Sequence, residues 1–215
     1  MKVKSNLDVI IYEHILDALI SGDYSMGQTV LIDELANKYE VSRTPVTQAV
    51  RLLANDGILE VMNNGRAAVP VFNQEQMKKI CELRLLLENF AIDKIQESQE
   101  SKAELYDSLA EIAEKGLKAL KAGDKLKFNR WDLAFHSTLI AGADNEYLAN
   151  VYKRVQGKFI VANYLISPLQ ERSFDKAADS HVQIAERLRN HDTQGCKKLL
   201  EEHIFVLSTV ISASF

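Results

Sequence analysis

Val41-Ser-Arg-Thr-Pro-Val-Thr-Gln-Ala-Val-Arg-Leu-Leu-Ala-Asn-Asp-Gly-Ile-Leu59 decides how the first third of this chain folds. Ser42 is a good N-cap, since its hydroxyl can take an orphan N–H at a helix start. Pro45 falls in the first turn, where a missing N–H costs nothing. Val46, Ala49, Val50 and Leu53 recur at helical spacing, and Gly57 ends the run. The pattern predicts a helix over 43–55 whose other face is polar, with Arg43, Thr44, Thr47, Gln48 and Arg51.

Upstream, Leu7, Ile10, Ile11, Ile15 and Leu19 predict a helix over 6–21, and Leu31, Leu35, Ala36 and Tyr39 a second over 31–39. Downstream, Ile58–Val61 and Ala67–Val71 read as strands around Met62-Asn63-Asn64-Gly65-Arg66. Asn-Gly is the strongest short hairpin signal, because both residues tolerate positive φ. Three helices and a hairpin make a winged helix-turn-helix, which lays its third helix in the major groove of DNA. Ser42, Arg43, Thr44, Thr47, Gln48, Arg51 and Arg66 are the candidate DNA-facing set. Arg43 suits a phosphate or a guanine, Thr44 and the helix start suit phosphates, Gln48 suits an adenine edge, and Arg66 suits the minor groove. The blander reading is a solvated helix face, and a winged helix can also serve protein contacts.

Charge argues against long-range attraction to nucleic acid. The chain has 215 residues and a formal net charge of −4. Residues 1–70 carry six Lys and Arg against nine Asp and Glu, so any basic footprint is local. A hydrophobic fraction of 47% supports a real core, and only three prolines favour helix. There is no secretory leader pattern and no apolar run near the roughly 20 residues that span a bilayer. Cys81 and Cys196 stand far apart without CxxC spacing, which suits inert thiols. The expectation is a cytoplasmic protein without membrane contact.

A boundary is expected near Phe72-Asn73, dividing 1–72 from 73–215. Helices are expected at 74–98, 101–121, 124–142, 145–167, 174–190 and 192–213, with a break at Ser167-Pro168. The whole is mainly α: a winged helix-turn-helix followed by an antiparallel all-α bundle. In Trp131-Asp-Leu-Ala-Phe-His136, Asp132 and His136 are four apart and share a helix face. His181 opens a later helix and His203 lies on the last. Three imidazoles and a carboxylate suit zinc, nickel or another borderline divalent ion if facing helices bring them together. From spacing alone, surface pairing or ordinary buried histidines stand as the alternative.

Three stretches resemble the GntR family of regulators: Gly27-Gln-Thr-Val-Leu-Ile-Asp-Glu-Leu-Ala36, the 41–59 segment, and Asn64-Gly-Arg-Ala-Ala-Val69. Thr29 and Thr47 stand where that family usually has arginines, so only Arg43 of its three DNA-holding arginines carries over. Fewer phosphate or guanine contacts imply an altered operator, weaker binding, or both. Residues 73–215 resemble the FCD domain of the FadR-type branch, through Glu82-Leu-Arg-Leu-Leu-Leu-Glu88, the 132–148 segment, His181, and Leu199-Leu-Glu-Glu-His203. Six helices fit its VanR-like division.

The resemblance implies a divalent metal on Asp132, His136, His181 and His203, with open positions for a small carboxylate effector. It places Arg84 either on that effector or in a bridge to Glu88. It also implies a homodimeric repressor on operator DNA, its second domain binding effector and dimerising. A winged-helix interaction adaptor and, more remotely, a metalloenzyme are the competing classes.

Overall fold

The computed structural model describes residues 7–62, 66–166 and 174–212. The expected hairpin tip at 63–65 and the Ser167-Pro168 break lie outside these residues. In chain order the elements are α1 (Leu7–Ser21), β1 (Thr29–Val30), α2 (Ile32–Lys38), α3 (Arg43–Asn55), β2 (Glu60–Val61) and β3 (Ala67–Ala68). They continue with α4 (Gln74–Glu97), α5 (Ala103–Lys121), α6 (Lys125–Ala141), α7 (Glu146–Ile166), α8 (Asp175–Arg189) and α9 (Thr193–Ser212).

The sheet has the order β1-β3-β2, all antiparallel, with Val30 and Val61 both opposite Ala67. The second and third strands are shorter than expected. The first was not expected at all: its two residues are held by pairing across the sheet, and so small a segment carries no alternation of its own.

Ser42 occupies the N-cap of α3 in extended conformation, but its hydroxyl makes no capping bond. The expected cap position is right and its hydrogen bond is absent. The other end of α3 is a Schellman closure. Gly57, at φ +77°, donates to the Ala54 carbonyl, and Ile58 donates to that of Leu53. That closure turns the buried Ile58 into the core. At the start of α4, Asn73 and Gln76 form a reciprocal capping box that marks where the long helices begin.

Among the described residues one core cluster runs through the whole chain. In the first part it is built from Ile11, Ile15, Leu19, Val46, Ala49 and Leu53, where α1 packs on α3. Further on, α5 packs against α6 and α8, and α4 against α7 and α9. α1 also packs against α7, which seats the first three helices on the bundle. Both cysteines are buried, and burial raises Cys81 to about 11 and Cys196 to about 12, so neither thiol is reactive near neutrality. No described helix is long and apolar enough to cross a membrane.

Candidate DNA interface and candidate metal centre

α3 presents Ser42, Arg43, Thr44, Gln48 and Arg51 on its exposed side, with Thr47 half-buried beside them. Exposed Arg66 immediately precedes β3. An open groove of about 750 Å³ runs between α2, α3 and the hairpin, and Arg43, Thr47, Arg51 and Arg66 all line it. Two contacts modify the expected chemistry. The Thr47 hydroxyl donates to the Arg43 carbonyl at 2.8 Å, so its proton is already used within the helix. Arg43 Nε lies 3.0 Å from Asp33 Oδ1, a pair with both partners well exposed. Asp33 was not singled out from the sequence, because its partner sits ten residues away on the next helix.

The bundle brings the four expected ligands together. Asp132 and His136 come from α6, His181 from α8 and His203 from α9, and all four are buried. His136 Nε2 stands 3.1 Å from His203 Nε2, and His181 Nε2 stands 3.2 Å from each of them. Asp132 Oδ1 lies 3.3 Å from His181 Nε2 and 3.9 Å from the other two.

Hydrogen bonding alone does not account for three imidazole nitrogens facing one point. A neutral ring offers at each nitrogen either a proton or a lone pair. The Glu88 carboxylate, 2.7 Å from His136 Nδ1, takes the proton there and leaves the Nε2 lone pair facing its neighbours. Burial lowers the pKa of His136, and the positive charge of Arg84 adds to this. Burial lowers His203 further, helped by the two neighbouring histidines. Burial thus favours the neutral form of His136 and of His203, the form in which an imidazole can act as a ligand. An equilateral triangle of these edges has its centre about 1.8 Å from each corner, a spacing of donors compatible with the usual Zn–N distance of about 2.0–2.1 Å. Asp132 supplies the anionic donor. Burial is the largest single influence and opposes its ionisation, but the hydrogen bond to His181 and the electrostatic pull of the three histidines together outweigh it and keep its pKa below the usual range. The donor set and its geometry fit a divalent ion.

Behind the centre lies a polar layer that the sequence revealed only in part. Glu88 Oε1 accepts from Arg84 Nε and from the Tyr152 hydroxyl, each at 2.7 Å. Burial works against its charge, but His136, Arg84 and Tyr152 outweigh it and hold the carboxyl at about 2. Of the two roles open to Arg84, the structure shows the bridge to Glu88. The guanidinium is fully buried and lies 4.0 Å over the Phe159 ring. Tyr152 was missed because nothing local distinguishes it from a core aromatic. Glu88, an acid inside an apolar helical stretch, was the available signal.

Residues 79–205 match the FCD domain and residues 8–69 match the gntR family of bacterial regulatory proteins. The gluconate operon transcriptional repressor of Bacillus licheniformis is 25% identical over 190 residues, covering 86% of this chain and 76% of that protein. Its Bacillus subtilis counterpart is 26% identical over 179 residues, covering 81% of this chain and 72% of that one. Among solved structures, Escherichia coli McbR/YncC superposes with a TM-score of 0.77 at 19% identity, over 99% of both chains. A second, the Listeria monocytogenes protein Lar, gives 0.62 at 18% identity over 99% of each.

Proposed function

Because the chain belongs to the GntR family of bacterial regulators and carries an FCD domain, we propose that it is a ligand-responsive repressor with a metal-dependent effector site. Members of this family are DNA-binding regulators, which removes the metalloenzyme alternative. Residues 1–72 read operator DNA, and residues 73–215 bind the effector and pair two copies of the chain.

The observation that carries this reading is the convergence of three buried histidines and Asp132 in the bundle of a chain that starts with a winged helix. Asp132, His136, His181 and His203 hold the ion, zinc or nickel by donor type. When bound, the ion supplies an electrophilic docking point for a small carboxylate. Asp132 and Glu88 bring two negative charges and Arg84 one positive charge, so a divalent ion would leave the buried centre with one positive charge in excess. That balance suits an effector with one carboxylate. Arg84 favours it through its field and by holding Glu88, which in turn orients His136.

At the DNA, Arg43, Arg51 and Arg66 provide the cations, and Ser42, Thr44 and Gln48 the polar contacts. The Ser42 hydroxyl, which makes no capping bond, and the first N–H groups of α3 add phosphate donors. Thr47 contributes a methyl or an acceptor, its proton being engaged.

The homodimer reading rests on an apolar face. Leu83, Leu86 and Phe90 are exposed along one side of α4, and Tyr147 and Val151 are exposed on α7, which packs against it. Flanking charges on α4 are already paired, Lys79 with Glu75 and Lys94 with Glu97. Two copies can therefore meet there without like-charge repulsion.

Selection from random DNA duplexes by gel shift, with Arg43→Ala as control, tests the regulator reading. Enrichment that depends on Arg43 is expected, and enrichment indifferent to it refutes the reading. Metal analysis of protein from metal-replete medium should find about one ion per chain, lost in His203→Ala. Sedimentation should find a dimer that Leu86→Arg dissociates.

A further inference from the structure

The helices that carry the buried centre also carry the seat of the reading head. On α6, Asp132 and His136 face the centre, while Arg130, two residues before Asp132, faces the other way. Its Nε donates to Asp17 on α1 at 2.8 Å, and its terminal nitrogens reach Glu13 and Asp17. On α7 the neighbours Tyr152 and Lys153 divide in the same manner. Tyr152 bonds Glu88 behind His136, and Lys153 Nζ meets Asp56 at 2.9 Å.

Asp56 is the last link to the recognition helix. It is the C-cap of α3, buried, and it also accepts from the Tyr12 hydroxyl of α1 at 2.9 Å. Beside it, Arg154 Nε donates to the Asn55 carbonyl at 2.9 Å. Gly157 lets the backbones approach so closely that a Cβ there would stand 2.0 Å from the Asp56 carbonyl oxygen. Three acids of the head thus meet Arg130 and Lys153 of the bundle.

We infer that Arg130, with the Tyr12–Asp56–Lys153 cluster, is the positioning device that fixes the reading head on α6 and α7 and ties its placement to the state of the histidine centre. The inference rests on the regulator reading above. A helix is stiff over two turns, so drawing Asp132 and His136 toward an ion shifts Arg130 on the opposite face. Glu13 and Asp17 belong to α1, and α1 packs directly on α3. Movement at the seat therefore reorients the recognition helix as a unit. The physical link is a pair of rigid helices with two working faces, which both sites can bias.

The full-length chain tests this with zinc as the probe. Hydrogen–deuterium exchange follows α1 and the end of α3, calorimetry follows zinc, and Trp131, the only tryptophan and the residue after Arg130, reports on α6 by fluorescence. Arg130→Met keeps the apolar stem and leaves Glu13 and Asp17 about one-third exposed, so both acids can hydrate and the fold survives. Without zinc, exchange in α1 should rise roughly five- to tenfold in Arg130→Met, the scale of a partly buried bidentate pair. Zinc should change α1 exchange about twofold or more in the wild type and leave it unchanged in Arg130→Met, with equal zinc affinity in both. Tyr12→Phe, which deletes one hydroxyl, should show the same loss of response in weaker form. Wild-type exchange in metal-free Arg130→Met overturns the seating role. An α1 response to zinc that survives in Arg130→Met, or is absent from the wild type, overturns the coupling. Failure of zinc to bind overturns the metal reading instead, and the metal-free comparison still decides the seat.

Discussion

Replacing Gly157 by alanine should destabilise the protein, against the ordinary rule for helices. Gly157 lies inside α7, where alanine is usually favoured over glycine by about 1 kcal/mol. Here the added methyl would stand 2.0 Å from the Asp56 carbonyl oxygen, 3.0 Å from its carbon and 3.1 Å from Ile58 Cγ1. Ordinary contact begins near 3.4 Å, so the end of α3 and α7 must part by more than an ångström. Two of these atoms are backbone, and no rotamer change relieves them. Overpacking of this kind costs about 1–3 kcal/mol, and two backbone contacts this short place it in the upper half of that range, which leaves a net loss of up to about 2 kcal/mol after the helix gain. Gly116 supplies the control. It too lies inside a helix, but an added methyl there meets Trp131 Cβ at 3.4 Å and Phe128 at 3.7 Å. Gly116→Ala should be neutral or stabilising by up to about 1 kcal/mol. Urea unfolding of the two variants, read by midpoint at matched slope, decides the matter. A Gly157→Ala protein as stable as Gly116→Ala would refute the close backbone seat and the reasoning built on it.

Three other outcomes are expected. Glu88→Gln removes the charged acceptor that orients His136, and calorimetry should show zinc affinity falling roughly 10–100-fold; unchanged affinity would show that Glu88 does not tune the ligand. Asp33→Asn releases Arg43, so binding to a non-specific duplex should tighten and its log–log salt slope steepen by about 0.9, the value of one further phosphate contact. An unaltered slope would mean that Asp33 does not compete with DNA. For the metal-free protein, burial depresses His136 and His203, so the unfolded chain binds more protons than the folded one below the ordinary histidine value of about 6.5. Stability should therefore fall as pH drops from 7 to 5, and a flat urea midpoint across that range would contradict the depression of His136 and His203.

Much of the architecture was legible because it is locally written. Pro45, the apolar stripe of α3 and Gly57 fix the recognition helix within thirteen consecutive residues, and the bundle helices follow from long periodic runs with short breaks. The four candidate ligands could be named from helix placement, but spacing alone left ordinary buried histidines open, since His181 and His203 are far from Asp132 in the sequence; the resemblance tied them together. What escaped was held together at a distance. Strand β1 exists because Thr29 and Val30 pair with Ala68 and Ala67. Asp56 finds Tyr12 across 44 residues and Lys153 across the bundle interface. Ser42 has the right identity and backbone for a cap without the bond, a rotamer choice that composition does not encode.

The stretch of α6 from Asn129 to Ser137 has almost no idle position. Asn129 accepts from Tyr164, Arg130 holds α1, and Lys115 sits over the Trp131 ring. Asp132 and His136 face the centre, the Leu133 carbonyl accepts from Gln156, Phe135 stacks on His181, and Ser137 donates to Gln156. Within nine residues, the parts that would sense a ligand alternate with those that steady the reading head. Drift in this helix is therefore shared drift: a substitution that retunes what is sensed arrives already linked to how the operator is gripped. A lineage adapting to a new effector has little freedom to alter one trait here and leave the other untouched.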